Sequence, residues 1–242
     1  MRGAWMEDLA WDEARERIAA GAVVLLPIGA AAKEHGHHLP LNTDAVVARE
    51  LAARLAAELP LLVAPVIGFG HYPAFTAYAG SQNLRAETFV DLVAELAGGL
   101  VAQGARRLVV LNTGVSTEKP LRTAAARLLA EYGVELPILD LRLMGRSADA
   151  VLDRREGGHA DERETSVMLA IEPARVRLDR LTGEEGDRDR PGPLDPADSP
   201  TGVIGFPAAA SAEKGRAILD AILADLTAGL SAAFPDLAVK KT

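Results

Sequence analysis

The 242-residue chain contains no cysteine. Disulfides, thiolate nucleophiles and thiolate metal sites are thereby excluded. Any metal must be held by nitrogen and oxygen donors, which suits zinc, manganese or iron. Positive charge is in deficit: 26 Lys and Arg face 34 Asp and Glu, a net charge of −8. No basic stripe interleaved with aromatics occurs, and the acidic balance argues against a general affinity for nucleic acid or anionic membrane. No apolar run is long enough to span a bilayer. The N-terminal stretch MRGAWMEDLAWDEARERIAAG is acidic and lacks the apolar core of a signal peptide, so a cytoplasmic location is the expectation. At 49% hydrophobic and 25% charged, the chain has the composition of an ordinary globular protein.

Apolar spacing predicts alternating helices and strands. Helices are expected over Asp8–Ala20, Thr43–Glu58, Ala86–Ala102, Thr117–Glu131, Asp161–Ala170 and Ala212–Ala233. Buried strands are expected over Ala22–Ile28, Leu61–Val66, Arg106–Asn112 and Leu136–Leu141. Residues 142–158 give no clear pattern. Residues 181–202 mix acids, arginine, glycine and proline, cannot contribute much core, and read as a long surface loop or lid. The one helix beyond that loop must dock on the preceding body, so a single domain over 1–242 is expected. The alternation implies an α/β fold with a mainly parallel sheet and helices on both faces. Right-handed crossovers then gather the loops at the strand ends along one sheet edge.

The richest chemistry lies in one of those loops. Val23–Asp44 (VVLLPIGAAAKEHGHHLPLNTD) starts as a strand, breaks at Pro27 and Gly29, and holds three of the five histidines. Sites of open α/β sheets form beyond the carboxyl ends of the strands. His35 and Asp44 are candidate metal ligands. Glu34 could bind the same ion or act as a base on a metal-bound water. The competing explanation is a loop whose histidines bond backbone carbonyls, with Asp44 merely capping a helix. A second constellation runs from Gly157 to Ser166. His159 precedes a helix after two glycines and could shuttle a proton, and Glu164 could complete a ligand set with His35 and Asp44. First-turn carboxylates stabilised by the helix dipole explain Glu162 and Glu164 equally well. In the turn 112–117, Ser116 and Thr117 could cap a helix whose start binds an anionic group. His71, with Tyr72, Phe75 and Tyr78, could line a pocket or simply pack in the core. No dinucleotide fingerprint, phosphate loop or nucleophile elbow is present.

These residues resemble the creatininase (creatinine amidohydrolase) family. Its first motif is a Pro-x-Gly strand end followed by Glu-x-His-Gly-x-His-Leu-Pro-x-x-x-Asp. Here Pro27-Ile28-Gly29 is followed by Lys33-Glu34-His35-Gly36-His37-His38-Leu39-Pro40-Leu41-Asn42-Thr43-Asp44. The family's His-Ala-x-x-x-Glu-Thr-Ser is similar to His159–Ser166. Its late Gly-x-x-Gly-x-Pro, followed by a Lys-Gly-containing helix, resembles Gly202–Pro207 and Lys214-Gly215. The resemblance implies a three-layer α/β/α sandwich, often a hexamer, with divalent metals hydrolysing cyclic or linear amide C–N bonds. It places His35, Asp44 and Glu164 on metal ligands and His159 on a catalytic histidine.

Two departures stand out. Lys33 replaces the family's metal-binding glutamate, and Asn112-Thr113-Gly114-Val115-Ser116-Thr117 replaces a segment that supplies a metal-binding histidine. Either the first ligand has shifted by one residue to Glu34, or two ligands of one ion are lost together; a lysine ammonium is then a substitute cation that would pair with Asp44 or Glu34. The expectation is a metal-dependent amidohydrolase with a reduced, mononuclear site and one divalent metal per subunit, zinc before manganese or iron. His35, Asp44 and Glu164 would be ligands, and Glu34, His159 and Lys33 catalytic. Ser116, Thr117 and His71 would contact a small-molecule amide, in a homo-oligomer without nucleic-acid or membrane partners. The alternative is a member that binds a small ligand or a protein without catalysis.

Overall fold

The computed structural model describes residues 2–154, 158–183, 186 and 193–237. Five strands, β1 (Ala4–Trp5), β2 (Val23–Ile28), β3 (Leu61–Val63), β4 (Leu108–Asn112) and β5 (Ile138–Asp140), form one sheet in the order β1-β3-β2-β4-β5. Every pairing is parallel. Six α-helices are described: α1 (Trp11–Ala19), α2 (Thr43–Glu58), α3 (Ala86–Ala102), α4 (Glu118–Tyr132), α5 (Glu162–Ile171) and α6 (Ala212–Ala233).

The strands are apolar throughout because both faces are covered. On β2, Val23 and Leu25 join a cluster with Leu51 and Leu55 of α2, Met168 of α5 and Ile218 and Leu226 of α6. Val24, Leu26 and Ile28 face the other way, onto Ile18 of α1, Phe89 and Val93 of α3, and Leu121 and Leu128 of α4. Strand β4 alternates likewise, with Val109 and Leu111 on the first side and Leu108 and Val110 on the second. The result is the three-layer α/β/α arrangement.

Differences from the sequence pattern have local causes. Helix α1 begins at Trp11 because the Glu13 carboxylate accepts the Ala10 N–H at 2.8 Å and starts the helix there. Strand β1 has two residues, too few to show a period. Strand β3 stops at Val63. Ala64 still donates to Leu25 O, but Pro65 has no N–H to continue the ladder. That early stop explains Pro27 inside a central strand. Its carbonyl accepts Ile67 N–H on the β3 side, so its missing N–H falls where the neighbouring strand has already ended. Residues 141–151 form two 3-10 turns. Of the expected loop 181–202, residues 184, 185 and 187–192 lie outside the described residues. Its described end packs inward, with Leu194 N–H donating to Ala74 O and the Tyr78 hydroxyl to Ser199 O.

Candidate functional site

Strands β2 and β4 end side by side at Ile28 and Asn112. After β2, Gly29 lets the start of α2 close on the strand end, because a Cβ there would collide with the Asp44 carbonyl. Ala45 N–H donates to Ala30 O at 3.2 Å, and Lys33 N–H to Leu41 O at 2.9 Å. The loop therefore folds back on itself and sets Lys33, Glu34 and His35 against Asp44 in the first turn of α2.

The Lys33 ammonium lies 2.7 Å from Asp44 Oδ2, with both side chains buried. The approach is an ion pair rather than a well-angled hydrogen bond. The rings of Phe75 and Tyr72 flank the ammonium at 5.1 and 5.7 Å, a cation–π setting. His35 is fully buried. Its Nδ1 lies 3.0 Å from the Lys33 carbonyl and its Nε2 2.9 Å from Asp44 Oδ1.

The second half of the site comes from the start of α5. Asp161 caps that helix by accepting Glu164 N–H at 2.9 Å. His159 is paired through its backbone with Ile204 in an antiparallel bridge. Next comes Ala160, buried and at φ 50, alone among described non-glycine residues in the left-handed region. That turn aims the Ala160 N–H at Glu164 Oε2, 2.7 Å away. His159 Nε2 lies 2.8 Å from Glu34 Oε2 and 2.9 Å from Glu34 O. Its Nδ1 faces Glu164 Oε2 at 3.9 Å, and the Phe75 ring packs on it at 4.3 Å. The His35 and His159 rings are 5.0 Å apart.

This geometry sets the electrostatics. Burial pushes the Asp44 carboxyl up, but Lys33 and His35 outweigh it and hold the group well below the usual carboxylate range. For Glu34 burial is likewise outweighed, by the hydrogen bond and charge of His159 and by the Gly36 N–H, so its pKa is lowered. Burial raises Glu164, against His159, although its side chain keeps 36% exposure and solvent moderates that push.

A divalent cation fits this donor set. Among the described residues, His35, His159 and Glu164 each offer a ligand atom within 4.8 Å of the others. Both oxygens facing His35 are acceptors, while a neutral imidazole has one N–H. A neutral ring can therefore donate to only one of the two, and the lone pair on its other nitrogen is the atom it can offer to a cation. Glu34 fixes the N–H of His159 on Nε2 and leaves the Nδ1 lone pair facing the cluster, as an outer carboxylate does for a metal-binding histidine.

The remaining predicted residues stand further from the cluster. Thr117 is fully buried, its hydroxyl 2.7 Å from both Asn112 Oδ1 and Gly114 O. Ser116 is half-buried on the same turn. Thr113 and Val115, not Ser116 or Thr117, line the cleft of about 400 Å³ that reaches Asp44 and Glu164. His71 Nδ1 lies 3.0 Å from Leu84 O, outside that lining. His38 bonds the Thr165 hydroxyl at 2.8 Å rather than a backbone carbonyl. Three participants escaped sequence reasoning: Asp161 as the cap of α5, Arg163 in the cleft wall, and Gly202 against Glu34. A Cβ on Gly202 would run into the Glu34 carboxylate. The glycine was visible in the late Gly-x-x-Gly segment, but nothing in the sequence says which side chain passes over it.

Comparison with known proteins bears on the family and the fold. The family described as Creatininase, creatinine amidohydrolase, matches residues 7–230. The creatinine amidohydrolase of Pseudomonas putida is 28% identical, over 97% of this chain and 98% of that protein. The mycofactocin precursor peptide peptidase of Mycobacterium tuberculosis (strain CDC 1551 / Oshkosh) is 35% identical, over 84% of this chain and 82% of that protein. Among solved structures, a glutamate-to-glutamine creatininase variant described as Zn-Zn type superposes with a TM-score of 0.86 at 26% identity. It covers 97% of this chain and 100% of the other.

Proposed function

Because the chain belongs to the creatininase family, we propose that it is a metal-dependent hydrolase of an amide C–N bond, with one divalent ion per subunit. The observation that carries this reading is the charge balance of the buried cluster. Glu34, Asp44 and Glu164 bring three carboxylates together, Lys33 answers one of them, and the neighbouring Asp161 is faced by Arg163. One divalent cation with neutral imidazoles completes the balance. A second would meet the Lys33 ammonium in its path.

His35, His159 and Glu164 would hold the ion. When bound it supplies Lewis-acid polarisation of the carbonyl and an activated water. The chain's own groups do the rest. Lys33, anchored by Asp44, places fixed positive charge where a carbonyl oxygen becomes negative. Glu34 keeps the His159 proton on Nε2 and so decides which nitrogen faces the cluster. Phe75 closes over both His159 and Lys33 and keeps water from them.

A second reading is favoured by the short contact between His159 Nε2 and Glu34 Oε2. Glu34 and His159 would then pass a proton to the leaving nitrogen, with Asp44 as third ligand in place of His159. Metal stoichiometry separates the two. Metal retained by His159→Ala and lost by Asp44→Asn selects the second reading; the reverse selects the first. The test of the function itself is metal analysis of protein purified without chelator, with His35→Ala as control, and turnover of a panel of cyclic and linear amides. A single equivalent of zinc, manganese or iron with turnover is expected. Near-zero metal removes the mechanism. Melting shifts with amides but no turnover would make the chain a binding member of the family. Zinc is the first choice, on the ligand set and the Zn-Zn relative. The substrate expected is a small molecule, and the protein a homo-oligomer.

A further inference from the structure

The cleft above the cluster has an uneven charge distribution. Its inner end holds Asp44 and Glu164 of the candidate centre, and its outer wall carries Arg142, Arg146, Arg154 and Arg163. Among the described residues, Arg142, Arg146 and Arg163 share the acids they pair with. Asp149 serves both Arg163, at 2.5 Å, and Arg146, at 3.5 Å. Glu118 serves both Arg142, at 2.5 Å, and Arg122, at 2.9 Å. The remaining bonds of Arg163 and Arg146 go to carbonyls: Met144 and Gly145 for Arg163, Arg142 for Arg146. Carbonyl bonds orient a guanidinium without neutralising it. Four guanidiniums gather along one cleft, although the whole chain is acidic. Surface exposure does not explain Arg163, whose side chain is only 19% exposed. Asp161 in the same lining also faces its charge, while Asp149 is divided between Arg163 and Arg146, and a partly buried guanidinium gains from a further anion that meets it. Planar forks also match oxyanions in two-point fashion.

We propose that this wall is an oxyanion subsite, and that the substrate is an amide carrying a carboxylate or phosphoryl group at the end remote from the scissile bond. The proposal rests on the hydrolase reading for the word amide, but not for the subsite itself. A cleft of about 400 Å³ is in the range that takes a small molecule. The amide would lie between Lys33 and the His35–His159–Glu164 cluster. The anionic end would reach Arg142 and Arg146, which stand at the cleft mouth with exposed side chains.

The test uses the full chain as purified, with its metal content recorded, and three probes without an amide bond: glutarate, its neutral analogue pentane-1,5-diol, and 3-phosphonopropanoate. Calorimetric titration is run on the wild type and on the double variant Arg142→Gln/Arg146→Gln, at exposed positions. Glutarate or 3-phosphonopropanoate is expected to bind at least ten-fold tighter than pentane-1,5-diol, and whichever binds tighter identifies the oxyanion. That preference should fall by about ten-fold or more in the double variant, with metal content unchanged. Equal affinity for glutarate and pentane-1,5-diol in the wild type would overturn the proposal. So would an undiminished preference in the double variant, since the anion would then be held at the metal or Lys33. Anion binding by a wild type without metal or turnover leaves the subsite standing and the hydrolase reading fallen. Turnover of neutral amides without anion preference does the opposite.

Discussion

The Lys33 ammonium and the Asp44 carboxylate face each other at 2.7 Å, both almost out of solvent, where the resemblance leads one to expect a metal. The chain thus carries part of its site's positive charge covalently.

Breaking this pair from one side should be costly. Lys33→Met leaves a buried carboxylate without its main counter-charge, and such a loss typically costs ~3–5 kcal/mol. The double variant Lys33→Met/Asp44→Asn should recover most of it. Urea unfolding in the presence of chelator measures both. A loss under ~1 kcal/mol for the single variant would mean the pair behaves like a solvated surface bridge.

Glu34 acts through His159. In Glu34→Gln the amide no longer fixes the proton on Nε2, and metal affinity should fall by ~10–100-fold. Competition with a metal-sensitive chelating dye reads this directly. Unchanged affinity would reassign Glu34 to another task.

His38 gives the fold an acid limit. Burial pulls its pKa from 6.5 to about 4. As pH falls the unfolded chain takes up the proton first. The stability contributed by neutral His38 is complete above pH 6.5 and drains away between 6.5 and about 4, by at most ~3 kcal/mol. Unfolding free energy against pH should be flatter in His38→Gln over that window. An identical slope would place the acid lability elsewhere.

Gly202 tests how closely the later chain packs on the site. At φ 71, with Glu34 where a side chain would go, Gly202→Ala should cost ~1–3 kcal/mol and weaken metal binding by displacing Glu34. Gly183→Ala, at a position with open space around it, should stay within ~0.5 kcal/mol. Similar effects from both would show that the close approach does not persist in solution.

The layers were readable because buried parallel strands and amphipathic helices leave strong periods. Helices α2, α3 and α6 begin and end where the spacing places them. That Lys33 pairs with a nearby acid was legible, since a short stretch of turn-rich chain brings them together, but the sequence left Asp44 and Glu34 equally open and the fold decides for Asp44. His159 against Glu34, by contrast, joins residues 125 positions apart, and only the fold decides that they meet. The arginine wall was illegible for another reason. Residues 141–154 form irregular turns without a period, so nothing in their order says that Arg142 and Arg146 face the space lined by Arg163 of α5. Thr117 shows the limit of motif logic: a hydroxyl at a helix start suits capping or ligand binding, yet this one is drawn inward by Asn112.

Ala160 sits between the backbone bridge that fixes His159 and the amide that holds Glu164. An L-residue in the left-handed region costs roughly 1–2 kcal/mol, a cost glycine escapes. The methyl group is wholly enclosed, so it works as a wedge in the joint. The imidazole on one side and the acid on the other are thereby braced at a set angle, like two jaws on one rigid bracket. Ala160→Gly would ease the backbone and let the jaws drift, making a more comfortable chain with a blunter grip.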